Sequence, residues 1–452
     1  MESLLNNIDR LLKEKRFSEV KRIVSLENPA DLAALFVELF GEDFEEKSEF
    51  IILFRLLPKD IAAEVFAYMD GDMRRHLIEM FTDKELREIL DELFIDDTVD
   101  LIEELPANVV SRILKNSSTG ERKAINEILR YPRDSAGSIM TIEYVSLHKD
   151  MTVSEAFEKI RRVGVNKETI YTCYVTENRR LIGVITVKDL FLADEDEKLS
   201  DIMETNIISV NTHEDQELVG NMFRKYDLLA LPVVDRDNRL VGIVTFDDAM
   251  DVIQEENTED FARMAAIAPN EHSYFKTGIL RHAGSRIGWL LILMISATLT
   301  QIITSRYENA FETIPLLVSF MPMIMDTGGN CGSQSSTMII RCIALDEIHF
   351  SDFFKVVFKE FRISILVCSV LAVVNGIRVY VMYEQNILLA VTIALSIVVT
   401  VIISKIIGSS LPLLAKRCKL DPAIMATPLI TTIVDCCSLF LYFNIATIIF
   451  NI

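Results

Sequence analysis

The chain is poor in cysteine, and none of its cysteines stands at a spacing that metal or redox chemistry uses. Seven are scattered over 452 residues. Cys436 and Cys437 are adjacent and so make no Cys-x-x-Cys pair, and no second Cys/His pair accompanies the others. Zinc-finger and thioredoxin-type readings are excluded, which leaves small apolar fillers of a reducing cytosol or a bilayer. Also missing are a nucleophile–base pair, a phosphate-binding loop and a metal-hydrolase signature, so no enzyme is expected. No secretory leader is expected either, because residues 1–20 are polar and helix-like without an apolar core. Positive charge is in deficit: 46 Lys and Arg face 67 Asp and Glu, a net charge of −21. The deficit lies on one side of the chain. From Gly284 onward 11 Lys/Arg nearly balance 10 Asp/Glu, a net of +1, which leaves −22 for the residues before it. A soluble part this acidic repels nucleic acid and anionic surfaces and attracts cations.

Residues 1–131 repeat a helical pattern. DLAALFVELF, DIAAEVFAYM, DKELREILDELF and DTVDLIEELP each place apolar residues at i, i+3, i+4 and i+7. Short helices recurring in this way predict an all-α superhelical N-domain, in the manner of solenoid repeats. Residues 132–253 carry an internal repeat: LIGVITVKDL (181–190) returns as LVGIVTFDDA (240–249). Each copy reads helix, strand, turn, strand, helix, which predicts a pseudo-symmetric α/β module. It resembles a tandem pair of cystathionine-beta-synthase (CBS) domains, regulatory modules that bind adenine nucleotides or other ligands. Both copies contain Gly-x-x-Thr-x-x-Asp, with Gly183, Thr186 and Asp189 answered by Gly242, Thr245 and Asp248. Thr and Asp at such a turn can bond ribose hydroxyls while Gly permits close approach, or they can cap the following helix. Tyr171, Thr186, Lys188 and Asp189 are the candidate nucleotide residues, with ATP the candidate ligand.

The third section, residues 254–283, continues an acidic helix that begins in DDAMDVIQEENTED. Asp251, Glu255 and Glu259 fall at i, i+4 and i+8 and share one face. Like charges at that spacing repel, so the stripe is either a divalent-cation site or a solvated face.

Residues 284–452 hold five apolar runs, an all-α transmembrane domain. Lys and Arg cluster before the first helix and in the second and fourth connections, whereas the opposite side has only Arg306 and Arg378. The positive-inside rule then puts the acidic N-terminal part in the cytoplasm and the C-terminus outside the cell membrane. In the last run Asp435 is the only charged side chain from Ala423 to Ile449. An Asp at a membrane-helix centre costs roughly 2.5–3.5 kcal/mol on insertion scales. It marks an ion path, a partner helix or a polar packing contact. Thr427, Thr431 and Asp435 fall at i, i+4 and i+8, with Pro428 loosening the backbone. The second run, MPMIMDTGGNCGSQSST (321–337), sets Asp326, two glycines and Asn330 at or beside membrane depth. Polar, helix-breaking sequence is tolerated there only inside protein or along water. All of these are hard oxygen ligands, suited to Mg²⁺, Ca²⁺ or Mn²⁺.

The whole chain, section by section, resembles the MgtE family of magnesium channels, most specifically in MPMIMDTGGNCGSQSST and in LDPA…TPLITTIVD. The resemblance implies a homodimer in the lipid bilayer whose second and fifth helices line a Mg²⁺ pore, with Asp435 capturing the ion and a Gly-Gly-Asn turn at 328–330. It implies closure by the acidic connector when intracellular Mg²⁺ fills sites at Glu217, Asp227, Asp248, Asp251 and Glu259. Asp421 would meet the connector at the membrane face, with Asp96, Asp97 and Asp100 as N-domain partners. The chain departs from the family at Thr427, where members often have Asn, and at Lys188 and Leu228, where some place an Arg and an aromatic around a nucleotide. Two other functions compete with a Mg²⁺-gated channel. A transporter coupled to H⁺ or Na⁺ needs a second titratable relay, for which only Asp326 and Lys405 offer themselves, both near helix ends. A membrane-anchored nucleotide sensor has no use for Asp435 or the polar second helix.

Overall fold

A computed structural model describes residues 2–41, 44, 48–269, 277–307, 314–384, 386–425 and 427–451. The chain divides into two compact units, Met1–Ile253 and Gln254–Ile452.

The first unit opens with helices α1 to α10: Glu2–Lys13, Phe17–Val24, Pro29–Phe40, Ser48–Arg55, Lys59–Tyr68, Gly71–Met80, Asp83–Leu90, Ile95–Glu104, Ala107–Asn116 and Thr119–Ile128. Their starts are written in the sequence. Asn28 and Asp70 accept from backbone N–H groups of the first turn, and Thr82 and Ser118 close capping boxes with Glu85 and Glu121. Two three-stranded sheets follow. In the first, β1 (Val145–His148) runs parallel to β2 (Thr172–Glu177), which is antiparallel to β3 (Arg180–Thr186). In the second, β4 (Val210–Asn211), β5 (Ala230–Val234) and β6 (Leu240–Thr245) repeat that arrangement. The leading strand of each sheet is absent from the sequence reading, since four and two residues are too short to show alternation. The hairpin tips of the two sheets bond to each other, Leu181 N to Asn238 O at 3.1 Å and Leu240 N to Arg179 O at 2.9 Å. Helices α11 (Val153–Val163), α12 (Val187–Leu192), α13 (Leu199–Ile202) and α14 (Gln216–Tyr226) accompany the sheets. One hydrophobic core runs from Ile8 through Phe36, Phe50, Phe66 and Ile113 to Val219, Leu231 and Val244. The helical section therefore shares its core with the second sheet.

The boundary between the units falls inside α15 (Phe246–Met264). The second unit then holds α16 (Ile279–Arg306), α17 (Met321–Ala344), α18 (Phe353–Met382), α19 (Ile387–Arg417) and α20 (Thr427–Phe450). Helix α19 touches α17, α18 and α20, while α16 meets the bundle through α20. Among the described residues four helical segments are long and apolar enough to cross a membrane: Ile279–Arg306, Phe350–Met382, Ile387–Arg417 and Pro422–Phe450. Helix α17 has 24 residues, about 36 Å at 1.5 Å per residue, which is the length of a span without the apolarity.

The expected turn at Gly328–Asn330 does not form. Helix α17 is continuous from Met321 to Ala344. Its glycines serve close packing instead. A Cβ at Gly328 would stand 2.7 Å from Ser438 Oγ and 2.8 Å from Thr400 Cγ2. One at Gly332 would meet Ile430 at 3.0 Å, and one at Gly408 of α19 would strike the Gly332 carbonyl. Small residues let these helices approach closely, where van der Waals packing and polar contacts replace the hydrophobic drive.

Candidate functional site

In the second unit the chemistry gathers beside α20. Asp435 lines a cavity of about 610 Å³ together with Ala297, Thr300, Gln301, Thr304 and Ser305 of α16, Met325 of α17 and Thr432. Gly329 brings α17 against this point: a Cβ there would lie 3.2 Å from Thr431 Cγ2 and 3.8 Å from Asp435 Oδ1. Asp326, three residues earlier, is close enough for its charge to act on Asp435. Thr431 Oγ1 and Thr432 Oγ1 both donate to Pro428 O at 3.0 Å, so their lone pairs remain to accept from water. Thr427 begins α20, and its side chain lies outside the described residues.

Asp326, Asn330 and Gln334 are all exposed on α17 at i, i+4 and i+8. The opposite face of the helix, with Ile324, Gly328, Cys331, Ser335 and Ile339, is buried within the bundle. A helix at membrane depth thus turns a polar stripe away from its own bundle. Lipid cannot receive such a stripe. The Thr300, Gln301 and Thr304 wall of the cavity went unread in the sequence, where α16 registers only as an apolar run.

In the first unit Asp96 and Asp97 occupy the first turn of α8, and Asp248 the first turn of α15. Two further acids join them. Glu143 accepts from Ile95 N at 3.0 Å and from Thr141 Oγ1 at 3.2 Å, and Glu168 Oε2 is buried without a hydrogen-bond partner. The carboxylates perturb one another. Burial, then the charges of Asp248, Asp247, Asp97 and Glu143, push Glu168 up to about 8. Burial raises Asp248 to about 6, against the hydrogen bond from Thr245 and with the repulsion of Asp247. Burial and the neighbouring Asp248, Asp97 and Glu168 hold Asp96 well above the ordinary carboxylate range. Burial also raises Asp97, which the positive charge of Arg74 tempers. Among the described residues no three His, Cys, Asp or Glu side chains converge tightly enough to ligate one ion directly. A hydrated dication, bound through its water shell, is the species such loosely gathered carboxylates suit.

Of the other expected sensor residues, Asp100 is exposed on α8 one turn after Asp96, and Glu217 and Asp227 are exposed at opposite ends of α14. Asp251 and Glu255 are exposed on α15. Glu259 does not belong to an uncompensated stripe. Arg263, one turn on, pairs with Glu259 and with Asp421, so a guanidinium already occupies that end of the connector. Asp260 beside them is half-buried and shifted upward, by burial first and then by Asp421.

At the candidate nucleotide site Thr186 and Asp189 form the capping box of α12, with Asp189 N donating to Thr186 Oγ1 at 3.1 Å. Tyr171, Lys188 and Asp189 are exposed. The glycines do not open a path for a ribose. Gly183 is covered by Met203, and a Cβ at Gly242 would meet Met140 Sδ at 2.6 Å and Thr141 O at 2.7 Å.

Comparison with known proteins covers nearly the whole chain. Residues 321–445 match the divalent cation transporter family MgtE, residues 27–134 the MgtE intracellular N domain, and residues 136–196 and 199–255 the CBS domain. The magnesium transporter MgtE of Thermus thermophilus is 33% identical over 453 residues, 99% of both chains. That of Bacillus subtilis is 32% identical over 447 residues, 99% of this chain and 97% of the relative. The crystal structure of the cytosolic domain of the Mg²⁺ channel MgtE in complex with ATP superposes with a TM-score of 0.51 at 35% identity, covering 55% of this chain and 99% of that one. The soluble part of a magnesium transporter also gives 0.51, at 31% identity over 57% and 99%.

Proposed function

We propose that this chain, which belongs to the MgtE family of divalent cation transporters, carries Mg²⁺ through a path walled by α17 and α20, with Asp435 as its central charge. The observation that carries this reading is the exposed stripe of Asp326, Asn330 and Gln334 beside Asp435. A second copy of the chain closes the path around a common axis, which gives the stripe water and protein to face instead of lipid. Mg²⁺ gives up its waters reluctantly, so the Asp435 carboxylates of two protomers hold the hydrated ion through its shell. Selection is then by the size and charge of the hydrated ion. The excess of Lys and Arg on one side of the helices orients the acidic unit to the cytoplasm and the C-terminus to the outside.

Closure follows from the charge of the first unit and the connector. Carboxylates around Asp96, Asp97, Glu168 and Asp248 repel one another until internal Mg²⁺ lies among them. At the connector Glu259 and Asp421 are already paired with Arg263, so internal Mg²⁺ competes with that guanidinium for them beside the half-buried Asp260. A relative's ATP-bound cytosolic domain supports ATP binding by the first unit; the exposed Tyr171, Lys188 and Asp189 are our candidates for it, with the ribose kept clear of the covered Gly183 and Gly242. The path is tested with Asn330→Cys in proteoliposomes. With Cys436 and Cys437, which follow Asp435, replaced by Ala in both proteins, a water-soluble, charged thiol reagent is expected to block Mg²⁺ uptake through the Asn330→Cys variant and not through its parent. Unblocked uptake after complete modification of the introduced thiol would refute it.

A further inference from the structure

Helices α17, α18 and α19 meet around a buried charge pair that the ion path does not use. Lys405 Nζ lies 3.7 Å from Glu360 Oε2 and donates to Ser335 Oγ at 3.1 Å, and Ser335 Oγ donates to Glu360 Oε2 at 2.7 Å. The lysine and glutamate side chains are 6% and 12% exposed. Lys405 is 12 residues from the end of α19, well inside the helix. Charges at that depth are expensive, and an apolar pair of equal volume often packs helices as well.

What the pair supplies is register. Helix α17 meets α19 through Gly328 and Gly332 against Thr400 and Gly408, a surface of small residues that allows close approach. Between helices in a membrane there is no hydrophobic drive, so van der Waals packing and polar contacts must set their alignment. A buried polar contact is the device that fixes one alignment among several. Ser336, the next residue on α17, donates to Met425 O at 2.8 Å, in the turn Pro422–Met425 that leads into α20. Ser335 and Ser336 thus pin α17 at one level to two sets of neighbours.

We propose that Glu360 and Lys405 are positioning residues for conduction: through Ser335 they hold the register of α17, and with it the placing of Asp326 and Asn330 against Asp435. The inference rests on the reading of α17 and α20 as the walls of the path.

The test is Mg²⁺ uptake per folded molecule in proteoliposomes, measured against Mg²⁺ concentration with Co²⁺ as competitor. The proteins are wild type, Ser335→Ala, the paired Glu360→Leu/Lys405→Met and Lys405→Arg. In Ser335→Ala and the paired variant we expect maximal uptake to fall about tenfold, with half-saturation within about twofold of wild type, because misplacement acts on passage more than on capture. Discrimination against Co²⁺ falls with it, and Lys405→Arg, which keeps the cation, retains most of the uptake. Wild-type maximal uptake and discrimination in Ser335→Ala would overturn the inference, and this variant decides alone if the paired one does not fold, since it leaves both charges paired. A wild-type protein that passes no Mg²⁺ would instead overturn the path reading beneath it.

Discussion

Raising the pH of the isolated cytosolic part without Mg²⁺ should destabilise it, and Mg²⁺ should remove that dependence. Glu168 is pushed from 4.5 to about 8 and Asp248 from 3.8 to about 6, chiefly by burial and then by neighbouring charge. A carboxyl whose folded pKa is raised favours the folded state at low pH and loses that contribution as pH climbs through the folded value. Between pH 6 and 8 the folded protein keeps a proton on Glu168 that the unfolded chain has released. One proton held this way is a slope of about 1.4 kcal/mol per pH unit at most. The partial exposure of these groups reduces the loss over two units to roughly 1–2 kcal/mol. For a unit of this size that is a fall in Tm of about 3–6 °C. Mg²⁺ at about ten times its Kd would return about 1.4 kcal/mol at pH 8. At pH 6 it would return less, because protons already quench the repulsion. The assay is thermal unfolding of residues 1–269 at pH 6 and 8, with and without Mg²⁺. A Tm that rises with pH in the absence of Mg²⁺, or an equal Mg²⁺ effect at both pH values, would refute the argument. So would an unchanged profile in Glu168→Gln/Asp248→Asn.

Arg263→Gln removes the guanidinium that competes for Glu259 and Asp421, so closure should need about fivefold less internal Mg²⁺, within the usual range of coupling energies. Uptake into vesicles preloaded with graded Mg²⁺ measures this, and a higher requirement would mean that Arg263 bridges rather than competes. Gly408→Ala drives a methyl group into the Gly332 carbonyl, and should cost about 1–3 kcal/mol by overpacking, read as a lowered Tm in detergent. An unchanged Tm would mean that α17 and α19 do not rely on that approach.

Much of the fold is legible along the sequence because its signals are local. Apolar periodicity and N-cap residues mark α1 to α10, the repeat 181–190 against 240–249 marks the twin sheets, and lone Asp435 in an apolar run marks a residue that lines the cavity beside α20. The misses are contacts between distant positions. Glu143 and Glu168 are isolated acids outside any periodic segment, and they join Asp96 only because residue 143 folds onto the start of α8. Lys405 reads as a helix-end lysine because the sequence does not reveal Glu360 beside it. The family resemblance implies a turn at Gly328–Asn330, yet the chain is helical there, with Gly328 packed against Thr400 and Ser438 and Gly329 against Thr431. Conversely the acidic stripe of α15 reads as uncompensated because the pairing of Arg263 with Asp421 spans 158 residues.

Passage of hydrated Mg²⁺ past Asp435 is tested most directly by Mg²⁺ uptake into proteoliposomes of the purified protein and of Asp435→Asn, which keeps the shape and loses the charge. Saturable uptake is expected from the wild-type protein and a loss of about a hundredfold or more from the variant, since one fixed charge facing a dication contributes several kcal/mol even at an effective dielectric of about 20. Folding and oligomeric state should be unchanged. Wild-type uptake through Asp435→Asn would contradict this route.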